Sequence, residues 1–284
     1  MRAIFVRHGE STGNAGTPCN DLAKLELTEK GRVQARQIAD EWTEAPALIV
    51  VSPYLRAQQT AQPTRDRFSA VPVQQWPIEE FTYLEPSRWN GTARSERLPH
   101  IEDYWNTADP IYCDGPGAES FVSLLGRAEI ALGRLRSLPD QDGTVVLFSH
   151  GQFMQAVRMS VLYPGTSNQD KMRSFWLDSG LPAFQNAERF NLELLAKGWA
   201  IQPGGLRPNL RFFRHGNFPV YDAWNGEICT RPALIWLGFP SELSGFKPKN
   251  GKFERETDGN GLPGISGGSG VDPQPAHETE KIVR

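Results

Sequence analysis

Three short runs constrain this chain more than anything else in it. Ala3–Val6 (AIFV), Ala47–Val51 (ALIVV) and Thr144–Phe148 (TVVLF) are almost wholly apolar and rich in β-branched residues. Runs of that length without polar alternation suit strands of a parallel sheet covered on both faces. Helical patterns lie between them. Thr28 is placed to N-cap a helix whose residues Ala35, Ile38, Ala39 and Trp42 fall on one face. Glu119–Leu138 forms a second, with Phe121, Leu124, Leu125, Ala128, Ala131, Leu132 and Leu135 at helical spacing. Shorter helices are expected after Tyr54 and after Gln152. Strands alternating with helices predict an α/β fold.

The residues after each strand matter as much as the strand. The first run leads into Arg7-His8-Gly9-Glu10-Ser11-Thr12-Gly13-Asn14, the second into Ser52-Pro53-Tyr54-Leu55-Arg56, and the third into Ser149-His150-Gly151. Ligands of open α/β sheets sit beyond the carboxyl ends of the strands. Those ends would therefore deliver two imidazoles, two guanidiniums and an amide into one crevice. Such a set suits a phosphoryl group. Arginine forks match phosphate oxygens in charge-assisted pairs. A neutral imidazole is a nucleophile at phosphorus near pH 7, and flanking cations stabilise the transferring group. No metal and no cofactor is required by this chemistry.

In this order, RHGES at 7–11 with Asn14, LTEKG at 27–31, SPYLRAQQTA at 52–61, GAESF at 117–121 and SHG at 149–151 resemble the histidine phosphatase superfamily, in its phosphoglycerate-mutase-like branch. The match runs from residue 1 to about 165, and Gln185-Asn186-Ala187 resembles a late element of the family. The resemblance implies a three-layer αβα fold with a mostly parallel sheet and helical or loop insertions over the active site. It makes His8 the transiently phosphorylated nucleophile, and Arg7, Asn14, Arg56, His150 and Gly151 the phosphate pocket.

The family also uses a Glu after the next strand to protonate the leaving oxygen, and here the chain departs from the common pattern. The stretch reads Pro77-Ile78-Glu79-Glu80-Phe81-Thr82-Tyr83-Leu84-Glu85. Glu80 fits the family spacing best. Glu85, four residues before Trp89, is the rival. The resemblance leaves three functions open: a phosphomonoesterase, a phosphoglycerate-type mutase, or a phospho-ligand binding protein with weak turnover. Phe81–Trp89 does not resemble the mutase stretch, which favours the esterase acting on a small phosphorylated metabolite or a phosphoprotein.

The remaining chain is read from composition. The catalytic domain is expected over 1–199, with insertions at about 82–118 and 163–190 facing the substrate. Arg88, Arg94, Arg97, Lys171 and Arg173 there are expected either to meet a second anionic group or simply to be solvated, and His100 would sit at an exposed helix start. Residues 200–244 retain aromatic side chains and are expected to pack, whereas 245–284 is rich in Gly and Pro and is expected to be flexible. The second Arg-His-Gly, Arg214–Gly216, lacks the residues that come after the first and reads as coincidence, and Gly267–Gly270 reads as linker. The formal charge of −3 provides no basic field for nucleic acid. No apolar run reaches the roughly 20 residues that span a bilayer, and the apolar stretch at the start is too short for a secretory signal. Cys19, Cys113 and Cys229 lie far apart without a CxxC pair, against a disulfide framework or structural zinc. A cytoplasmic location is expected.

Overall fold

A six-stranded sheet in the order β3-β2-β4-β1-β5-β6 organises the computed structural model of the chain. The structure describes residues 1–202 apart from 19–20, 93, 140–141 and 177–182, together with strands Val220–Tyr221, Ile228–Cys229, Phe246–Lys249 and Lys252–Arg255. The three apolar runs become β1 (Arg2–Arg7), β2 (Leu48–Val51) and β4 (Thr144–Ser149). β4 lies between the other two and is parallel to both. β3 (Val73–Gln75) adds a parallel edge strand.

Side chains alternate across the pleat and explain why these runs are apolar throughout. Ile4, Val6, Ile49, Val51, Val146 and Phe148 pack against Ile38, Trp42 and Ala61 on one face. Ala3, Phe5, Leu48, Val50, Val145 and Leu147 face Phe121, Leu124, Ala128 and Phe153 on the other. The first face is covered by α1 (Glu29–Asp40) and α2 (Leu55–Arg67), the second by α5 (Phe121–Arg136) and α6 (Gly151–Leu162). This is the expected three-layer αβα architecture. Thr28 caps α1, its hydroxyl accepting from Gly31 N, while Trp42 lies just past the helix end but is buried as expected. Ser120 caps α5 through its bond from Ser123 N, so that helix starts two residues later than the apolar period suggests.

The insertion at 82–118 is more ordered than its irregular sequence implies. It carries α3 (Pro86–Trp89) and α4 (Arg94–Thr107), and Ile101, Tyr104 and Trp105 of α4 join the main core beside Phe81 and Phe121. The second irregular stretch contains α7 (Asn168–Trp176), whose Phe175 stacks on Trp105 with centroids 5.3 Å apart. His100 lies in the middle of α4, six residues past its start, with its ring 4.4 Å from that of Trp89. Pro99 inside the helix disguised the segment as a helix beginning.

Beyond the second insertion the sheet continues. β5 (Arg189–Leu195) runs antiparallel to β1, and β6 (Gly198–Ile201) antiparallel to β5. The chain divides into two compact units, Met1–Ile235 and Trp236–Arg284. In the first, β7 (Val220–Tyr221) pairs with β8 (Ile228–Cys229); in the second, β9 (Phe246–Lys249) pairs with β10 (Lys252–Arg255). The expected packed extension, the flexible tail, the second Arg-His-Gly and the Gly-rich linker otherwise lie outside the described residues. Among the described residues no helix is long and apolar enough to cross a membrane.

Candidate active site

Register brings the strand ends together. Arg7 pairs with Ser149 across β1 and β4, and Val51 pairs with Phe148 across β2 and β4. The residues one step on, His8, Ser52 and His150, therefore emerge side by side at one edge. His8 and His150 have ring centroids 5.1 Å apart. Both are buried.

The loop after His8 is fixed by close backbone packing. It crosses the first turn of α1, where a Cβ on Gly31 would stand 2.0 Å from Glu10 O and one on Gly9 2.6 Å from Gly31 O. Glu10 O accepts from Thr28 N at 2.9 Å, and the Glu10 carboxylate accepts from Thr28 Oγ1 and Lys30 Nζ. Gly9 N donates to Thr60 Oγ1 at 3.0 Å. The RHGES and LTEKG runs are thus two halves of one joint.

In that joint the His8 ring is oriented by both nitrogens. Nδ1 lies 2.7 Å from Gly9 O, which makes it the protonated nitrogen. Nε2 then carries the lone pair and accepts from Arg56 Nε at 3.1 Å. Arg56, in the first turn of α2, also donates from Nη1 to Leu22 O at 2.6 Å, and its guanidinium lies 5.0 Å from the Tyr54 ring centroid. Burial, then Arg56, then Arg7 hold the His8 imidazole well below its ordinary pKa, against the weaker pull of the Gly9 carbonyl. Burial dominates at His150 as well, with Arg56, His8, Arg7 and Arg127 adding to it. Both rings are neutral in the free protein.

Arg7 donates from Nη1 to Phe184 O, while its buried Nε has no hydrogen-bond partner in the protein. A Cβ on Gly151 would lie 3.3 Å from that Nε, so the glycine makes room for the guanidinium. His150 N-caps α6 in conformation, places Nε2 2.8 Å from Ser52 Oγ, and leaves its buried Nδ1 without a partner. Asn14 differs from a free phosphate ligand: its Oδ1 accepts from Ser11 N, Ser11 Oγ and Asn186 Nδ2, so only its own amide nitrogen is left to face a ligand. Asn186, in the late element Gln185–Ala187, also donates to His8 O at 3.2 Å.

The two candidate acids are in different surroundings. Glu80 Oε1 accepts from Gln152 N, in the first turn of α6, at 2.9 Å and from Phe81 N at 3.2 Å, and its charge acts on Arg7. Glu85 accepts from Ser87 Oγ and Arg88 Nη2 at the start of α3. Of the cations expected to meet a second anion, Arg88 pairs with Glu85 and Asp114, Arg97 donates to Thr92, and Arg173 pairs with Asp170. Lys171 is buried, and the Arg94 side chain lies outside the described residues. Among the described residues no group of His, Cys, Asp or Glu is spaced to hold a metal ion.

Ser52, Tyr54, Phe184 and Gln152 are not among the expected site residues, yet each touches a site side chain. Ser52 and Tyr54 stand beside Arg56 at the end of the second apolar run, so strand-end position alone signals them. Phe184 and Gln152 act through backbone atoms and leave no such signal.

The model of the histidine phosphatase superfamily (branch 1) matches residues 3–179. The chain is similar to phosphoserine phosphatase 1 of Hydrogenobacter thermophilus, 28% identical over 166 residues that cover 57% of this chain and 76% of that protein. Among solved structures it is similar to a mycobacterial glucosyl-3-phosphoglycerate phosphatase complexed with VO3, with TM-score 0.57 and 24% identity over 71% of this chain and 96% of the other. It is also similar to a phosphoserine phosphatase mutant from Entamoeba histolytica in complex with phosphoserine, with TM-score 0.55 and 19% identity over 70% and 94% of the two chains.

Proposed function

Because the chain belongs to the histidine phosphatase superfamily, branch 1, we propose that it is a phosphomonoesterase working through a phosphohistidine on a small phosphorylated metabolite or a phosphoprotein. The observation that carries this reading is the state of His8. Its Nδ1 proton is tied to Gly9 O, and its Nε2 lone pair is held beside Arg56 in a buried, neutral ring. The names of the relatives, a phosphoserine phosphatase and a glucosyl-3-phosphoglycerate phosphatase, support hydrolysis over a mutase.

In the first step His8 Nε2 forms a bond to phosphorus while the bond from phosphorus to the ester oxygen breaks. That oxygen takes a proton from Glu80. In the second step water attacks phosphorus, Glu80 takes back a proton, and the P–N bond breaks to restore the His8 lone pair. Arg7 and Arg56 neutralise charge on the equatorial oxygens, and the unpartnered Arg7 Nε is one donor for them. With the Ser52 hydroxyl donating to its Nε2, His150 retains an Nδ1–H for another oxygen. Gly151 gives Arg7 its space and the Asn14 amide nitrogen supplies a further donor.

The test is a rapid acid- and base-quench experiment with ³²P-labelled substrate, on the natural chain and on His8→Ala. Label that survives base, is lost in acid and maps to His8 is expected, together with loss of turnover of p-nitrophenyl phosphate in the variant. Full turnover by His8→Ala, or label on Ser11, overturns the mechanism. Phosphoryl exchange between positions of 3-phosphoglycerate faster than its hydrolysis would make the chain a mutase instead.

A further inference from the structure

Arg127, on α5, ties the segment carrying Glu80 to the far end of the insertion. Its Nη1 donates to Pro77 O at 3.1 Å, to Glu79 O at 3.2 Å and to the Glu79 carboxylate at 3.3 Å. Nε and Nη2 form a two-pronged pair with Glu119, both at 2.7 Å. Glu119 N in turn donates to Thr82 O at 2.8 Å, which joins the two stalks of the insertion. The guanidinium also lies 5.2 Å from the ring centroid of Phe153, the residue after Gln152, whose amide holds the Glu80 carboxylate. The segment is fastened from the sheet side as well, Ser149 Oγ donating to Ile78 O at 2.7 Å.

From this geometry we infer that Arg127 is a positioning residue for the proton transfer made by Glu80, an inference that rests on Glu80 being the acid. Among the described residues its hydrogen bonds go to Pro77, Glu79 and Glu119, and not to the phosphate pocket or to Glu80 itself. It fixes the backbone immediately before the acid and the helix turn that orients the acid's carboxylate, and so it sets where the proton stands relative to the leaving oxygen. Misplacement of a reacting group by about 1 Å through a remote change costs about 10²-fold in rate. The Arg–Glu119 fork is planar and bidentate, a geometry that lysine does not reproduce.

Arg127→Gln and Arg127→Lys are compared with Glu80→Gln on an alkyl phosphate and on p-nitrophenyl phosphate, whose leaving group departs with little need of a proton. Melting temperature and vanadate affinity are measured for each. Arg127→Gln is expected to lower kcat on the alkyl phosphate about 10²-fold and to lower it far less on p-nitrophenyl phosphate. Arg127→Lys should fall between Gln and the natural residue, with vanadate affinity retained in both. Arg127→Lys alone decides the matter if Arg127→Gln does not fold. Equal losses on both substrates, tracking the melting temperature, would reduce Arg127 to a structural residue and overturn the inference. So would leaving-group dependence in Glu80→Gln that neither Arg127 variant shares. Absence of that dependence in Glu80→Gln overturns the acid assignment itself, and the inference with it.

Discussion

At the residue scale the site is two neutral imidazoles pressed between two guanidiniums. Unfolding returns both rings to water, where they take up protons near pH 6.5, while the folded rings are held well below that value by burial and by Arg56. Below pH 6.5 the unfolded state thus binds more protons than the folded one. Stability falls as pH drops, by about 1.4 kcal/mol per pH unit for each ring, until the folded rings themselves protonate. NMR titration of the free protein should show no midpoint near 6.5 for either His8 or His150. A ring titrating at or above 6.5 would contradict the dominance of burial and of the neighbouring guanidiniums. Arg7, His8, Arg56 and His150 were legible in the sequence because each ends or comes just after a strongly patterned strand, or opens the helix beyond it. Arg127 was not, because its partners lie 8 to 50 residues away, and Pro77 and Glu79 stand in a stretch without periodicity.

At the scale of elements, glycines in helices separate two kinds of packing. Gly31 in α1 meets Glu10 O where a Cβ would stand 2.0 Å away, whereas Gly126 and Gly133 in α5 have nothing within 4 Å of theirs. Alanine is favoured over glycine in a helix interior by about 1 kcal/mol. Gly133→Ala should therefore stabilise by up to about 1 kcal/mol. Gly31→Ala should destabilise by about 1–3 kcal/mol, as overpacking does, and should lower kcat because the displaced loop carries His8. Denaturant unfolding of the two variants checks the opposite signs. α1, α2, α5, α6 and the central strands were readable from their periodicity, caps and place in the α/β alternation, whereas α3, α4 and α7 fall in stretches that read as irregular. β5 and β6 were not readable, because their signal is of another kind: in RFNLELL the buried Phe190 and Leu192 alternate with Asn191 and Glu193, the period of an antiparallel strand rather than the unbroken apolar run of a central one. β3, whose VQQ residues are all exposed, offers no apolar signal at all.

At the scale of the molecule, the proposed phosphate pocket draws on elements far apart in sequence, so occupancy by an oxyanion should stabilise the whole unit. Vanadate at about 100 times its Kd contributes about 2.7 kcal/mol, which for a domain of this size raises Tm by roughly 5–10 °C. Arg56→Met, which removes both the guanidinium and its bond to His8, should abolish most of that shift in a calorimetric scan. A full shift in the variant would place the anion elsewhere. Composition and motif order made the αβα unit legible as a whole, while the closing strands escaped because their pattern is short and half polar. Those strands carry a consequence for how the protein is made. β1 forms one of its two ladders with β5, and Arg7 and His8 are held by Phe184, Asn186 and Ala187, all near the end of the sheet-forming chain. A ribosome adding 5–20 residues per second leaves roughly 10–35 s between the synthesis of β1 and that of β5. In the last part of that interval, once Ser149–Gly151 has been made, the nascent chain holds the strand-end residues of the site but still has an open edge on β1. Enzymatic competence and protection from aggregation would then arrive together, with one late strand.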